Sequence, residues 1–183
     1  MNKTLKLALP LLIAGMAVSP SPAQTYYYDE TKTFHENGFT YQCDNDGGII
    51  TLYNSQNRLT YADKTYKDGS RLPEDIYRGR VHAIEEEHWS RPRVRTIVND
   101  AFSPAEKAIV KKWRFVISML IDPDTGKVAE VIFYLPIKSP YTRIPPSTYY
   151  KIEQGLKKEI CFTMTETGKQ LNYALLSWEH EVK

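Results

Sequence analysis

The sequence predicts an α+β fold, and three observations support that prediction. Two pairs of apolar segments are each joined by a turn rich in Asp, Asn and Gly, which is typical of β-hairpins. Apolar residues at helical spacing occur before the second pair and after it. The chain has 183 residues, of which 42% are hydrophobic and 25% charged, enough for one domain with a buried core. This composition excludes collagen-like, low-complexity and multi-span membrane proteins.

Residues 1–23 are predicted to be a signal peptide. Two lysines precede an uncharged apolar stretch over 7–18, and small residues stand three positions and one position before the bond between Ala23 and Gln24. The apolar stretch is shorter than the roughly 20 residues that span a bilayer, and an uncleaved anchor is the alternative. We therefore expect an exported chain without a transmembrane span after leader removal, in the periplasm or at the outer surface of the cell.

The charge of the mature chain argues against nucleic-acid partners. The chain has 24 Lys and Arg residues and 22 Asp and Glu residues, and Lys3 and Lys6 are the only charges in the predicted leader. Removing the leader leaves equal numbers of basic and acidic residues, 22 of each. Such a chain has no long-range field that would gather nucleic acid or anionic lipid.

Residues 24–102 are predicted to form an N-terminal extension that contains strands and helices and packs on the unit that follows. After a loose start over 24–38, residues 39–53 have the pattern of a hairpin, and Asn, Asp and Gly at 45–48 supply the positive φ angles of its turn. A short strand is predicted over 58–61.

Two helices are predicted to complete the extension. Apolar and aromatic residues at steps of four, three and four indicate one helical face. These residues are Tyr77, Val81, Ile84 and His88. A second helix is expected after Pro92, from the spacing of Val94, Ile97, Val98 and Ala101.

Residues 103–183 are predicted to form a second α+β unit. Ser103 and Glu106 make a capping box with Pro104 at the first helical position, so a helix is expected to begin there. A hairpin with an Asp-Pro-Asp-Thr-Gly turn, a helix and a last strand follow. Their ranges are 115–121 and 128–135 for the hairpin, 147–160 for the helix and 173–178 for the strand.

This order of elements is similar to that of the TonB carboxy-terminal domain. The shared features are the apolar strand, the Asp and Gly turn at 122–126, the Val-rich strand, the helix, Phe162 ahead of Gly168, and the last strand. The resemblance covers about residues 103–183 and implies a fold of that type. Energy coupling is not expected, because the chain lacks the long Pro-rich spacer of TonB proteins. The whole chain also resembles small exported proteins of unknown function from Bacteroides-type gut bacteria.

Cys43 and Cys161 are the only cysteines in the chain. An oxidising compartment favours a disulfide between them, and closing a loop of more than a hundred residues would stabilise the fold by about 4–5 kcal/mol. Two separate buried thiols, each acting as a small apolar side chain, are the alternative.

His82 and Glu86 are the candidates for zinc ligands, whereas the Asp-rich segments at 44–48 and 122–126 resemble the opening of a calcium loop but are explained by turn formation. On a helix His82 and Glu86 would share a face at i and i+4 and present nitrogen and oxygen to zinc. A solvated acidic face formed with the neighbouring glutamates is the simpler interpretation. We expect no metal and no other cofactor.

Two surface features favour binding. Positive charge is concentrated on both sides of the acidic run at 85–87, which indicates either a mixed-sign exposed face or a site for an acidic partner. The arginines concerned are Arg78, Arg80, Arg91, Arg93 and Arg95. The 13 Tyr and three Trp residues exceed what a core of this size needs, and they serve either packing or binding. The binding candidates are Tyr173, Leu175, Trp178, Trp89 and Tyr141.

Together these features predict a non-enzymatic module of the cell envelope that binds a protein or peptide. Strand addition at an exposed edge formed by 173–178 is the expected mode. The chain has no Gly-x-Ser-x-Gly elbow, and we predict no catalytic residue. A glycan-binding or sensing accessory protein that uses exposed Tyr and Trp is the alternative, and an envelope hydrolase is a third possibility.

Overall fold

The computed structural model describes residues 26–183, which form one six-stranded antiparallel sheet with the two longest helices packed on one face. The predicted signal peptide lies outside the described residues. The strands are β1 (Lys32–Glu36), β2 (Phe39–Asn45), β3 (Ile49–Asn54), β4 (Arg114–Ile121), β5 (Val128–Pro136) and β6 (Ala174–Glu181). They lie in the order β1-β2-β3-β5-β4-β6, so β1 and β6 are the two edges of the sheet.

The helices of the described chain pack mainly on one face of this sheet. The α-helices are α1 (Glu74–Tyr77), α2 (Ser90–Ala101), α3 (Pro104–Val110) and α4 (Pro146–Glu159), and two short 3-10 helices span Pro140–Arg143 and Gly168–Gln170. In α4, Gly155 lets α2 approach closely, because a Cβ there would lie 2.6 Å from Cγ2 of Ile97. The predicted α+β class is confirmed.

The main core lies between the sheet and α2 and α4, and tyrosines fill much of it. Tyr28, Tyr41, Tyr141 and Tyr149 are all fully buried. Their hydroxyls have partners: that of Tyr28 donates to the carbonyl of Ile144 at 2.8 Å, for example. Burying a tyrosine without such a partner would be costly. Much of the tyrosine excess therefore serves packing.

The opposite face of the sheet carries a smaller cluster. Leu120, Ile132 and Tyr173 are buried there, and Leu59 and Ala62 from the loop after β3 pack against them. This loop is irregular, so the strand predicted over 58–61 is wrong. The loop covers the face with side chains and does not pair with a neighbouring strand.

The elements that local sequence chemistry specifies are confirmed. In the turn between β4 and β5, Oδ1 of Asp122 accepts the N–H groups of Asp124 and Thr125 at 2.8 and 2.9 Å. At the start of α3, Oγ of Ser103 accepts the N–H of Glu106, whose carboxylate accepts the N–H of Ser103 at 2.7 Å. Both predicted hairpins and the last helix are present within one residue of their predicted bounds, and the last strand is present but ends three residues later than predicted.

The helix predicted through Tyr77, Val81, Ile84 and His88 is wrong beyond its first residue. The chain leaves α1 after Tyr77, and Gly79 has a positive φ of 70° that breaks the helix. Segment 82–88 instead runs alongside residues 163–165. The loose start predicted over 24–38 is also wrong in part, because it contains β1.

The extension and the second unit share one sheet. β3 from the extension pairs with β5 from the second unit, with Leu52 opposite Phe133. The main core likewise draws side chains from both parts of the chain. Within residues 26–183, no helix is long and apolar enough to cross a membrane.

Of the two alternatives for the cysteines, the structure has separate thiols: Cys43 and Cys161 are both free, but only Cys43 is buried, and Cys161 is exposed. Cys43 lies opposite Leu52, which lies opposite Phe133 on β5, whereas Cys161 bridges to Lys127. Six residues along β5 span about 20 Å at about 3.3 Å per residue. A disulfide needs Cα atoms within about 7 Å. Burial raises the pKa of the Cys43 thiol to about 11, as expected for a packing residue.

Candidate functional site

The edge formed by β6 is the first component of the candidate site. β6 pairs with β4, and within residues 26–183 no other segment forms a backbone hydrogen bond with it. In an antiparallel edge strand, every second residue turns its N–H and C=O away from the sheet. The register with β4 is continuous along all eight residues, and β6 contains no proline, lysine or glycine.

Side chains of β6 alternate between the two faces of the sheet. Leu176, Trp178 and His180 lie on the helix side, where the first two pack against the main core. Leu175 lies on the other face and is 47% exposed. The strand thus presents different chemistry on its two faces.

A cavity of about 720 Å³ opens beside β6 on the helix side, and we call it the Trp178 cavity. Its apolar lining comes from Ile84, Phe162, Leu176 and Trp178. Charged residues complete it, with Glu85, Glu86 and Glu87 on segment 82–88 and Arg91 and Arg95 on α2. This volume lies within the range of about 300–1,000 Å³ that is usual for ligand sites.

Segment 82–88 forms the outer wall of the Trp178 cavity, and hydrogen bonds hold it to residues 163–165. The N–H of Glu85 donates to the carbonyl of Thr163 at 2.9 Å, and the N–H of Thr165 donates to that of Ala83 at 3.1 Å. The Glu87 carboxylate accepts both the N–H and the hydroxyl of Thr163, at 3.0 and 2.7 Å. The wall is therefore positioned by hydrogen bonds before any ligand binds.

Trp178 forms the centre of the cavity lining. Its ring meets that of Phe162 edge to face, with centroids 6.4 Å apart. The Arg91 guanidinium lies over the Trp178 ring, 5.7 Å from its centroid, close enough for a cation–π contact. This contact holds a positive charge at the mouth between α2 and β6.

A smaller cavity of about 280 Å³ lies next to the first, and we call it the His180 pocket. Arg91 and Arg95 line both cavities, and Arg114, Glu179, His180, Glu181 and Lys183 complete the second. The Arg114 guanidinium pairs with the carboxylates of Glu179, at 2.9 Å, and Glu181, at 3.6 Å.

His180 is the most unusual side chain of this pocket. It is only 5% exposed, and its Nε2 has no hydrogen-bond partner within the described residues. Burial lowers the pKa of His180 to about 4, with further lowering by the charges of Arg95 and Arg91. The imidazole is therefore neutral near pH 7.

Two of the five predicted binding residues are unavailable to a partner. Tyr141 is fully buried, and its hydroxyl donates to the carbonyl of Trp113 at 3.1 Å. Tyr173 is buried on the opposite face, and its hydroxyl donates to the carbonyl of Ala62 at 2.7 Å. Both are packing residues, which corrects their assignment as binding candidates.

The other three predicted binding residues are accessible in different places. Trp178 lines the large cavity, Leu175 lies on the opposite face of β6, and Trp89 is 46% exposed just before α2. The structure does not bring these three side chains into one surface patch, because Leu175 and Trp178 alternate along a strand.

His82 and Glu86 both line the Trp178 cavity and are exposed. They do not lie on a helix, so the i and i+4 reasoning that paired them fails. Across residues 26–183, no three or more His, Cys, Asp or Glu side chains are grouped so as to hold a metal ion.

Sequence reasoning missed His180. The available signal was its position two residues after Trp178 in a strand, which places both side chains on one face. Which strand lies beside β6, and which helix covers it, depends on contacts between distant parts of the chain. Arg91 and Arg95 were identified in the sequence among five arginines that indicate either a mixed-sign exposed face or a site for an acidic partner.

A family model described as a domain of unknown function, DUF5043, matches residues 24–178. The chain belongs to the DUF5043 family. The DUF5043 match extends across the extension and the second unit, and it includes segment 82–88, the start of α2 and β6 as far as Trp178.

A DUF5043 protein with a solved structure has a similar fold. The crystal structure of this family member, from Bacteroides uniformis ATCC 8492, is 38% identical in sequence and matches with a TM-score of 0.78. The match covers 87% of this chain and 89% of that one. This relative agrees with the resemblance to Bacteroides-type proteins, whereas the comparisons do not show a TonB-like fold. A search of curated proteins found no match.

Proposed function

We propose that this DUF5043 protein is an exported, non-enzymatic module of the bacterial cell envelope that binds an extended protein segment. The segment adds to β6 as a seventh strand, and one of its side chains enters the Trp178 cavity. The observation that supports this proposal most strongly is that one strand provides both an open sheet edge and a preformed cavity of about 720 Å³.

The two components have different roles in such binding. Main-chain hydrogen bonds to an edge strand supply affinity without regard to sequence, and pockets for alternate side chains supply specificity. Trp178, half-buried against Phe162, is the type of aromatic anchor that dominates binding energy at interfaces. The attached wall of the cavity reduces the entropy lost on binding, because the wall is already ordered.

Export is part of the same proposal. The charged start, the apolar stretch and the small residues before Gln24 support it, and the family match begins at residue 24, directly after the predicted cleavage site. Mass spectrometry of the protein recovered from the envelope of its host tests this point. We expect an N-terminus at Gln24, and a chain that retains Met1 in the cytoplasm would contradict export.

Glycan binding is a second candidate, and the make-up of the cavity favours it. Trp178 lies in one cavity with Glu85 and Glu86, and an aromatic ring with nearby carboxylates can stack on a sugar and bind its hydroxyl groups. The tyrosines give less support, because four of them are fully buried in the core.

A random peptide library displayed against the purified protein tests strand addition. We expect selected peptides to lose at least tenfold in affinity for Trp178→Ala, while Ile109→Ala, at an exposed apolar residue of α3 that lines neither cavity, stays within threefold of the native protein. Methylation of alternate backbone nitrogens of the peptide is expected to abolish binding, because it removes the donors to β6.

Leu176→Ala is a second variant of the same cavity, with a smaller change in side-chain volume. We expect it to bind the selected peptides more weakly than the native protein does. Peptides that bind all these variants equally, or that tolerate methylation at every position, would contradict the proposal. A neutral glycan that binds through Trp178, with no peptide selected, would favour the second candidate instead.

A further inference from the structure

We propose that the segment bound at β6 carries an acidic side chain two residues from the apolar side chain in the Trp178 cavity, and that its carboxylate binds Arg91, Arg95 and His180. This inference rests on the proposed strand addition and specifies the class of peptide. The recognised feature is an extended apolar-x-acidic pattern, read in either chain direction.

The spacing follows from the strand. Trp178 and His180 lie on the same face of β6, two residues and so roughly 6.6 Å apart. A strand added beside β6 repeats the same spacing, so a side chain in the Trp178 cavity has its same-face neighbour at the His180 pocket. Arg91 and Arg95 line both cavities, so the two positions lie on either side of the same pair of guanidinium groups.

The charge of the His180 pocket favours an anion. Arg91 and Arg95 lie four residues apart on α2 and so project to the same side, and neither forms an ion pair with any residue between 26 and 183. Arg114 already pairs with Glu179 and Glu181. Two guanidinium groups therefore remain without a counterion, and guanidinium binds carboxylates through paired hydrogen bonds.

The glutamates of the larger cavity form no ion pair with Arg91 or Arg95 among residues 26–183. Glu85 and Glu86 line the Trp178 cavity but not the His180 pocket. Glu87 accepts from Thr163 through Oε1, and its buried Oε2, which has no hydrogen-bond partner within residues 26–183, belongs to the Trp178 cavity and not to the His180 pocket. An acidic side chain placed two residues from the apolar one therefore meets the arginines, whereas an acidic side chain in the Trp178 cavity itself would face glutamates.

His180 supplies the independent observation that points to a ligand. Its side chain is about nineteen-twentieths buried and lines the pocket, yet Nε2 has no partner. Buried polar atoms nearly always have a hydrogen-bond partner, and a lone one costs stability. A neutral imidazole can donate its Nε2 hydrogen to a carboxylate oxygen. The charged groups that face it are Arg91, Arg95, Arg114, Glu179, Glu181 and Lys183.

Binding of three capped heptapeptides to the native protein tests the inference. The first is Val-Thr-Leu-Thr-Glu-Thr-Val together with its reversed sequence, the second has Gln in place of Glu, and the third moves Glu next to Leu. We expect the first, in one of its two directions, to bind at least tenfold more tightly than the other two. We expect raised salt to reduce this preference, because it screens the ion pair.

Variants assign the preference to the arginines. Arg95→Gln and Arg91→Gln are each expected to bring the Glu and Gln peptides within twofold of one another. The matched control is Arg93→Gln, since Arg93 lies on the same helix but pairs with Glu159, and it should keep the full preference. Thermal melting of each variant verifies that it is folded.

NMR titration of His180 gives a readout that a purely structural role would not change. Saturation with the Glu peptide is expected to raise the pKa of His180 above its value of about 4, because a carboxylate stabilises the imidazolium, whereas the Gln peptide leaves it unchanged. Equal binding of the Glu and Gln peptides would overturn the inference and leave strand addition standing. Failure of every peptide to bind, or binding of oligogalacturonate alone through Arg95, would overturn both.

Discussion

The two edges of the sheet differ in ways that explain why only one forms a candidate site. β1 has five residues and begins with Lys32, and the side chains of Thr33 and His35 form hydrogen bonds with β2. The Thr33 hydroxyl, for example, donates to Oε1 of Gln42 at 2.7 Å. β6 has eight residues and no lysine, and it runs along two cavities. None of the residues that line these cavities lies on β1.

Proteins commonly protect sheet edges by making them short and by adding lysine. β1 has both devices, which fits a purely structural edge. β6 has neither, and segment 82–88 and α2 flank it without pairing with its backbone. β6 therefore combines open backbone groups with a cavity beside them, which is the arrangement that strand addition requires.

The largest expected effect comes from Gly168→Ala, which displaces segment 82–88, the outer wall of the Trp178 cavity beside β6. A Cβ at Gly168 would lie 1.9 Å from the carbonyl oxygen of Ala83, so segment 82–88 must shift. We expect a loss of about 2–4 kcal/mol in the free energy of unfolding, measured with urea. The control is Gly48→Ala near the β1 side of the sheet, where the nearest atom is 3.6 Å away. Equal losses for the two variants would contradict this account of the wall.

A smaller effect is expected from pH, again on the β6 side. The pKa of His180 is lowered to about 4 in the folded chain. The imidazole of the unfolded chain therefore takes up a proton near pH 6.5, whereas that of the folded chain takes it up only near pH 4. Stability therefore falls as pH falls, by about 2 kcal/mol between pH 7 and pH 5. Urea unfolding at several pH values measures this change.

His180→Gln should flatten that pH dependence above pH 5. The matched control is His35→Gln on β1, since His35 is exposed. A native slope that persists in His180→Gln would show that another group is responsible.

The smallest effect tests the β1 side. The Tyr41 hydroxyl on β2 donates to the fully buried Glu153 carboxylate of α4, which also pairs with Lys157 at 2.6 Å. Tyr41→Phe is expected to cost about 1–2 kcal/mol of stability and to leave peptide affinity at β6 unchanged. Thermal melting and peptide titration measure the two quantities. A large loss of peptide affinity would show that the two edges are coupled.

Local sequence chemistry allowed part of this fold to be predicted. The Asp122 turn and the Ser103 capping box depend on residues a few positions apart, so both could be predicted from the sequence. The form of segment 82–88 could not be predicted, because it depends on hydrogen bonds to Thr163 and neighbouring residues far along the chain. The same holds for Gly155, which a helix disfavours and whose role appears only with Ile97 against it.

The candidate site was partly visible in the sequence. Trp178 and the last strand were identified, because aromatic and apolar residues cluster there. The position of β6 at an edge depends on strand order, and the approach of Arg91 and Arg95 to His180 depends on how α2 packs. The spacing of neighbouring residues in the sequence predicts neither the edge position of β6 nor the approach of the two arginines to His180.

Amide hydrogen exchange, measured residue by residue with and without saturating Val-Thr-Leu-Thr-Glu-Thr-Val or its reversed sequence, tests the central claim most directly. If an extended segment adds to β6, the amides that this edge leaves open should exchange at least tenfold more slowly in the complex, while those of β1 keep their rates. Protection at β1, or at neither edge despite bound peptide, would contradict the claim that β6 is the binding edge.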